Sequence, residues 1–457
     1  MNTTRFGASV GTASGSGLPT GEDDLSALVR VHVWGYPLVF AARLRQNMTL
    51  TPVPMDSATS RSAAAPINTF GHQRLLSDAT YRVGVAPNVD TLYSVAWVDL
   101  ADGPVVLDTP DFSDRYYTFQ VGFADSSSLA VGHRTHGAKL PRVTLRVQGS
   151  QPPKTEGLHL TSPTRYAMLA GRILVDPAVD TDLEVAHRLQ DGVRLTRWRD
   201  GATTACSVSE QTPLDSGTEG LSDGPAYLRR LATVLADWLP DIIPPDVLGD
   251  LYRAGFDETL GLVRMVEPAL IDRAVVDGNT LIERAVRTAA TASTNHWAVN
   301  YQGCEFGADW LLRAAVAHTA IYVNPVAEAL YPVAELDSDG RPLTGRRRYQ
   351  ISFPPNGLPP ASYFWSLTMY HDRGFLVDNP IARYAIGDRT PRLRFEEDGR
   401  LILQVSHSAP QEGIANWLPA PHDGFRLMLR LYGPTPECLQ GRWSPPPIVA
   451  VSDAETT

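Results

Sequence analysis

The amino-acid sequence predicts an α+β multidomain chain in which two β-sandwiches flank a helical section. Three stretches of hydrophobic period predict it. Between about residues 74 and 180, short runs alternate with a period of two and are bounded by Gly, Pro, Asp and Asn. From about Asp182 to Val333 apolar residues recur at helical spacing. From about Ala334 the period of two returns. No βαβ alternation occurs, so a parallel sheet is not expected. The units expected are a disordered tail over 1–21, a helix plus sandwich over 22–180, a helical section over 181–333 and a second sandwich over 334–457. At about 150 residues per domain, 457 residues suit three folded units.

The elements follow in order. Met1 to about Gly21 is rich in Gly, Ser and Thr, a composition that cannot bury a core. Asp23 or Asp24 caps a helix that runs to Met48 on Leu25, Leu28, Val29, Val33 and Phe40, and Pro37 is expected to bend or break it. Residues 50–66 are rich in Pro, Ser and Ala and read as loop. TLYSVAWVDL, GPVVLD, RYYTFQVGFAD, RVTLRVQG and RYAMLAGRILVD are short β runs, as an antiparallel sandwich requires. DLEVAHRLQDGVRL, AYLRRLATVLADWL, PPDVLGDLYRAGFDETLGLVRMV, TLIERAVRTAATAS and GADWLLRAAVAHTAIY carry helical spacing, and no strand is expected among them. RRRYQISF, YFWSLTMYH, LRFEEDGRLILQVSH and GFRLMLRLYG then suggest a second sandwich or jelly roll. Asp398-Gly399 marks a hairpin between RFEE and RLILQV.

Composition excludes several functions. A formal net charge of -10 opposes nucleic-acid binding, which needs a basic face. No apolar run approaches the roughly 20 residues of a membrane span. The first residues lack the charged-then-apolar layout of a secretory leader, so a cytoplasmic chain is expected. Cys206, Cys304 and Cys438 are dispersed and read as free thiols. Of 40 basic residues only Lys139 and Lys154 are lysines, which leaves few Schiff-base candidates. There is no P-loop, no dinucleotide fingerprint and no HExxH. The one G-x-S-x-G string, Gly7 to Gly11, lies in the tail without a flanking strand and helix. No cofactor and no metal are therefore expected, with His136 as an alternative metal ligand left open. The expected partner is a small molecule, with neither nucleic acid nor membrane, and homo-oligomerisation stays open.

Candidate chemistry comes from dispersed residues. Pro87-Asn88-Val89-Asp90-Thr91-Leu92-Tyr93 places a carboxylate and a phenol three residues apart at a strand entry. Asp90 could serve as general base and Tyr93 as proton donor, or Asn88 and Asp90 could form an Asx-turn. Gly132-His133-Arg134-Thr135-His136-Gly137 reads as a strand-end loop. His133 and His136 suit proton transfer, and Arg134 suits an anionic or carbonyl oxygen. Alternation puts Tyr116 and Tyr117 on opposite faces, one in the core and one facing a cleft. In the second sandwich Trp365, Leu367 and Met369 share one face of a strand, and Phe364, Ser366, Thr368 and Tyr370 the other. The second face could line a polar pocket. Asn416-Trp417-Leu418-Pro419 is a stiff loop that could wall it or cap the sandwich.

VWGYPLVF, APNVDTLYSVAWVDL, RYYTFQVG and VGHRTHG resemble the N-terminal part of a bacterial two-part family, domain of unknown function 1254. FGADWLLRAAVAH, the Tyr331–Asp337–Gly340–Leu343–Gly345–Tyr349 spacing, FWSLTMYH, DNPIARYAIGD and NWLPAP resemble its usual partner, domain of unknown function 1214. The resemblance spans most of residues 25–445. It implies an immunoglobulin-like sandwich, a helical section and a jelly-roll-like sandwich, and little chemistry. The family's loop is nearer G-x-R-T-x-G, so His133 and His136 fill variable places.

The function expected is a cofactor-independent enzyme acting on a small polar organic molecule by hydrolysis, elimination or isomerisation in an inter-domain cleft. Asp90, Tyr93, His133, Arg134 and His136 are its expected catalytic groups. Asn88, Tyr116, Trp365, Tyr370, Asn416 and Trp417 are expected to bind substrate. A place in specialised metabolism would suit it. The alternatives are a non-catalytic small-molecule or carbohydrate binder, and a structural protein in which the same strings lock the domain interface.

Overall fold

The computed structural model describes residues 17–451 apart from 83, 155 and 289–291. Most of the expected tail and the Gly7–Gly11 string lie outside the described residues.

The N-terminal unit is two five-stranded sheets. The first runs in the order Gly71–His72, Thr91–Asp99, Tyr166–Leu174, Tyr117–Phe123, Ser128–Gly132, antiparallel throughout. The second runs Ala202–Ala205, Arg194–Arg199, Val105–Asp108, Val143–Val147, Leu158–Ser162. Its last pair is parallel, against the antiparallel expectation. Gly157 permits this. Its φ is +112°, and a Cβ there would stand 2.2 Å from the Arg142 carbonyl oxygen, so the chain can fold back tightly against the start of its neighbour.

Two of these strands fall beyond the expected boundary at residue 180. RLTRWR hides its register because Arg197 occupies an inward position. Its guanidinium is buried and donates to the carbonyls of Gly103 (2.7 Å) and Asp99 (2.9 Å). ATTA is exposed along its length and shows no alternation. The helix Asp182–Asp191 also belongs here, since Leu183, Ala186 and Leu189 pack onto the sandwich core.

The helical unit is organised around Asp24–Thr49. Asp23 caps it by accepting the Ser26 amide at 2.9 Å. The helix is continuous through Pro37, where a bend or break was expected. Leu28, Val31, Trp34 and Leu38 share a core with helices Asp223–Leu235, Pro245–Arg253 and Pro268–Thr288. That burial offsets the roughly 3 kcal/mol an interior proline costs. Contrary to the composition reading, this helix is long and apolar enough to cross a membrane, but most of it is buried against its neighbours. Few charges interrupt it, yet Trp34, Tyr36 and His32 pack within the protein.

The C-terminal unit begins near residue 292, earlier than expected. Its larger sheet runs Ala292–Thr294, Trp297–Val299, Val333–Ala334, Phe425–Pro434, Ala361–His371, Ala385–Gly387, and Ala329–Leu330 also pairs with Phe425–Pro434. The smaller sheet is Trp417–Pro419, Leu401–Ser406, Arg348–Phe353, Ile448–Val451. Trp365, Leu367 and Met369 face Tyr349, Ile351 and Leu403 in the core between them. The expected hairpin forms only in part. The turn closes with the Glu396 amide on the Arg400 carbonyl at 2.8 Å, and Leu401–Ser406 enters the sheet. The run before the turn stays exposed, Phe395 included, and without burial nothing fixes it into a ladder.

Candidate functional site at the seam of the two sandwiches

The turn that launches Thr91–Asp99 is built by Asn88. Its Oδ1 accepts the amides of Asp90 (2.6 Å) and Thr91 (3.2 Å), an Asx-turn, and its Nδ2 donates across the seam to Tyr432 Oη at 2.8 Å. Asp90 is buried, with both oxygens engaged by the C-terminal unit. Oδ2 accepts from Ser366 Oγ at 2.6 Å and Oδ1 from Arg389 Nη2 at 2.5 Å. Tyr370 Oη donates to the Pro87 carbonyl and accepts from Arg430 Nη2, both at 2.7 Å. Arg430 Nη1 reaches Thr368 Oγ1 at 2.7 Å. The hydroxyl-bearing face of Ala361–His371 therefore meets the 87–90 turn directly. Arg389 also donates to the Val175 carbonyl at 2.9 Å, and Asp388 lies 3.6 Å from it. Burial pushes the Asp388 carboxyl up to about 6, against the pull of Arg389.

A second cluster centres on Glu328, which is fully buried. Its Oε1 accepts from Tyr116 Oη at 2.6 Å and its Oε2 from Arg134 Nε at 2.7 Å. Tyr117, on the opposite face, stacks on Phe112 at 3.8 Å within the N-terminal core. The segment after the strand end at Gly132 is a single helical turn, His133–His136, and not an irregular loop. The Gly132 amide donates to Thr135 Oγ1 at 2.9 Å and tightens it. The turn sends Arg134 to Glu328. It sets His133 edge-on to Tyr363 at 5.2 Å, with Nδ1 buried and unpartnered. His136 pairs with Thr135 Oγ1 at 2.7 Å at an exposed position. Among the described residues no three His, Cys, Asp or Glu side chains gather as metal ligands would.

A third cluster surrounds Arg172, on the central strand Tyr166–Leu174. Its nitrogens reach Gln120 Oε1 (2.9 Å), Tyr93 Oη (3.2 Å) and Asn324 Oδ1 (3.4 Å), and none of these partners is a carboxylate. Asn324 in turn donates to Tyr331 Oη at 2.7 Å. Burial opposes the charge on Arg172, but Tyr93, Tyr432 and Tyr331 outweigh it and hold the proton more firmly than usual. Tyr93 and Tyr331 each keep part of their surface accessible. An open groove of about 850 Å³ is walled by residues 54–57, 59–62 and 80–82, and Arg172 is not part of its wall. Its Tyr81 neighbours Tyr93: burial first, and then Tyr93, push the Tyr81 phenol up to about 12.

The structure thus gathers Asn88, Asp90, Tyr93, Tyr116, His133, Arg134 and Tyr370 along one seam. Trp365, Asn416 and Trp417 are not part of it. Trp365 lies on the core face of its strand. Asn416 Nδ2 donates to the carbonyls of Arg394 (2.7 Å) and Ile402 (3.0 Å), and Trp417 Nε1 to that of Ser406 (3.0 Å), so both bond within the C-terminal sandwich. Sequence reasoning missed Arg172, Glu328, Arg389, Arg430 and Tyr432. Two of them carry a usable mark, an arginine within a mostly apolar central strand: Arg172 in YAMLAGRIL and Arg430, the inner of two arginines, in FRLMLRLYGP.

Residues 67–197 match the family described as protein of unknown function DUF1254, and residues 328–436 match protein of unknown function DUF1214. The chain belongs to the two-part DUF1254–DUF1214 family. The seam of this DUF1254–DUF1214 chain is shared between both matched regions: Asn88, Asp90, Arg134 and Arg172 come from the first, and Glu328, Ser366, Arg389 and Arg430 from the second. None of the curated proteins matches the chain. Among solved structures, the VPA0106 protein from Vibrio parahaemolyticus is similar, with a TM-score of 0.69 at 20% identity over 94% of this chain and 100% of that one. That likeness extends the fold across nearly the whole chain. An uncharacterised protein from Burkholderia cenocepacia gives a TM-score of 0.44 at 13% identity over 93% of this chain and 98% of that one.

Proposed function

We propose that the protein acts, without a cofactor, on a small polar organic molecule bearing an anionic oxygen, by acid/base chemistry at the seam beside Arg172. One observation carries this reading: Arg172 is buried, and none of its hydrogen-bond partners is a carboxylate. A buried cation without a counter-ion is costly, and an anionic ligand would supply one. Arg172 then holds the oxygen that gains charge, and Tyr93, 3.2 Å from its Nε, donates the proton. Protonation of an oxygen that gains charge suits this pair. The two sandwiches, immunoglobulin-like and jelly-roll-like, act as rigid walls. Asp90 and Arg134, first assigned to catalysis, instead hold the walls together.

A second reading, binding without turnover, is favoured by the engagement of both Asp90 oxygens, which leaves no free carboxylate base at that turn. Titration of the full chain with a panel of small oxo- and hydroxycarboxylates, followed by proton NMR for affinity and conversion, separates the two. Tyr93→Phe should keep affinity and lose conversion. Binding with no conversion by the unaltered protein would establish the second reading. A folded Arg172→Met variant with undiminished affinity would remove the site altogether, and Arg172→Lys should restore part of what Arg172→Met loses.

A further inference from the structure

A second hollow, of about 320 Å³, lies where the helices Asp24–Thr49 and Trp310–Ala320 meet the turn at 123–127 of the N-terminal sandwich. It shares no lining residue with the seam. Its wall is aromatic, with Trp34, Trp238, Trp310 and Phe306. Trp238 meets Trp34 edge-on at 6.0 Å.

One cation stands in this wall. Arg313 is only 4% exposed. Its Nη2 donates to the Trp34 carbonyl at 2.7 Å, and its guanidinium carbon lies 4.8 Å from the Trp310 ring centroid and 5.9 Å from that of Trp34. Its Nε is buried and unpartnered, and among the described residues no carboxylate bonds to Arg313. Ring faces and one carbonyl offset only part of the cost of burying a full charge. Desolvation accordingly pulls its proton affinity down to about 10, with Asp125 pulling the other way. Two carboxylates line the same hollow. Asp125 ties one oxygen to the amide (3.0 Å) and hydroxyl (2.6 Å) of Ser127, and Glu305 is exposed. A flat apolar wall with a buried cation and two anions complements a flat ligand that carries both charges. A purely anionic ligand would meet Asp125 and Glu305, and a purely cationic one would meet Arg313.

We infer that this hollow is a binding site for a small aromatic zwitterion, an aryl amino acid whose carboxylate pairs with Arg313, whose ammonium faces Asp125 and Glu305, and whose ring lies on the tryptophans. The volume admits one aryl ring with a short side chain.

Fluorine NMR of the full chain tests it with three probes: para-fluorophenylalanine, the matching arylpropanoate that lacks the amine, and the matching phenethylamine that lacks the carboxylate. The amino acid should bind about five-fold or more tighter than either single-charge analogue. Arg313→Met should weaken it about ten-fold, and Glu305→Gln about three-fold. Because Glu305 is exposed, that variant keeps the test alive if Arg313→Met fails to fold. Arg172→Met should leave the affinity unchanged. The inference falls if the amino acid shows no binding up to about 10 mM, if the phenethylamine binds as tightly, if Glu305→Gln is without effect, or if Arg172→Met abolishes binding and so assigns the probe to the seam.

Discussion

Asp90 and Arg389 stand 299 residues apart in the chain and 2.5 Å apart in the fold. Their side chains are 7% and 16% exposed, so solvent screens the pair little. The bond ties the first β unit to the second at the point where Asn88 also reaches Tyr432. Replacing Asp90 by Asn strands a buried guanidinium, although Asp388 at 3.6 Å compensates in part. Asp90→Asn should cost about 2–3 kcal/mol. Thermal and denaturant unfolding of Asp90→Asn, Arg389→Met and the double variant check this. The double variant should lose clearly less than the sum of the singles, and strict additivity would mean the two side chains do not interact.

Glu328 makes a similar tie with different exposure at its two ends. Tyr116→Phe removes one hydrogen bond and leaves an acceptor in a dry place, a loss of about 1–2 kcal/mol. Arg134→Met strands the Glu328 carboxylate, whose side chain is 1% exposed, so it should cost more than Tyr116→Phe. Equilibrium unfolding ranks the two, and the reverse order would show that the buried phenol, not the charge, anchors Glu328.

These ties explain what was legible beforehand. Asn88, Asp90, Tyr116, Arg134 and Tyr370 stood out because polar groups cluster in short strings at turns and strand ends, and all five lie on the seam. Their roles were not legible. Asp90 reads as a free carboxylate until Arg389 and Ser366 are brought to it, and no local pattern announces a partner 299 residues away. The long helices and nine of the 21 strands among the described residues followed from period alone. Arg194–Arg199 did not, because Arg197 fills a core position with a charge satisfied by carbonyls. Pro37 misled because helix continuity there rests on tertiary burial. Trp417 misled because a stiff aromatic loop looks the same whether it walls a pocket or, as here, bonds to its own sandwich.

Acid should weaken the fold below about pH 6.5. His32 and His72 are buried, and burial lowers both to about 4 from an ordinary 6.5. Each stays neutral in the fold while the unfolded chain takes up a proton. Their contribution is therefore complete above 6.5 and is lost as pH falls towards 4. Asp388 works in the opposite sense: raised to about 6, it favours the fold most at low pH and loses that contribution as pH rises from about 4 to 6. At 34% side-chain exposure its effect is the smaller. Melting temperature across pH 4–7 should fall on the acid side, less steeply in His72→Leu and more steeply in Asp388→Asn. An unchanged slope in His72→Leu would contradict the assignment.

Gly345 sits where two loops of the C-terminal sandwich touch. Its amide donates to the Asp423 carbonyl at 3.0 Å, and the adjacent Thr344 amide donates to Tyr349 Oη at 3.1 Å. A Cβ at 345 would stand 1.7 Å from the Pro421 carbonyl oxygen. The clash is with backbone, so no rotamer relieves it, and separating the loops would also strain the Tyr349–Phe425 contact at 5.8 Å beneath them. Gly345→Ala should cost about 3 kcal/mol or more. Gly441 supplies the control. It has φ +68° with open space around it, so Gly441→Ala meets only the backbone preference, about 1 kcal/mol. Unfolding of the two variants side by side tests whether close approach or backbone conformation fixes glycine in this sandwich. Equal losses would show that the 343–349 and 421–425 segments can separate without cost.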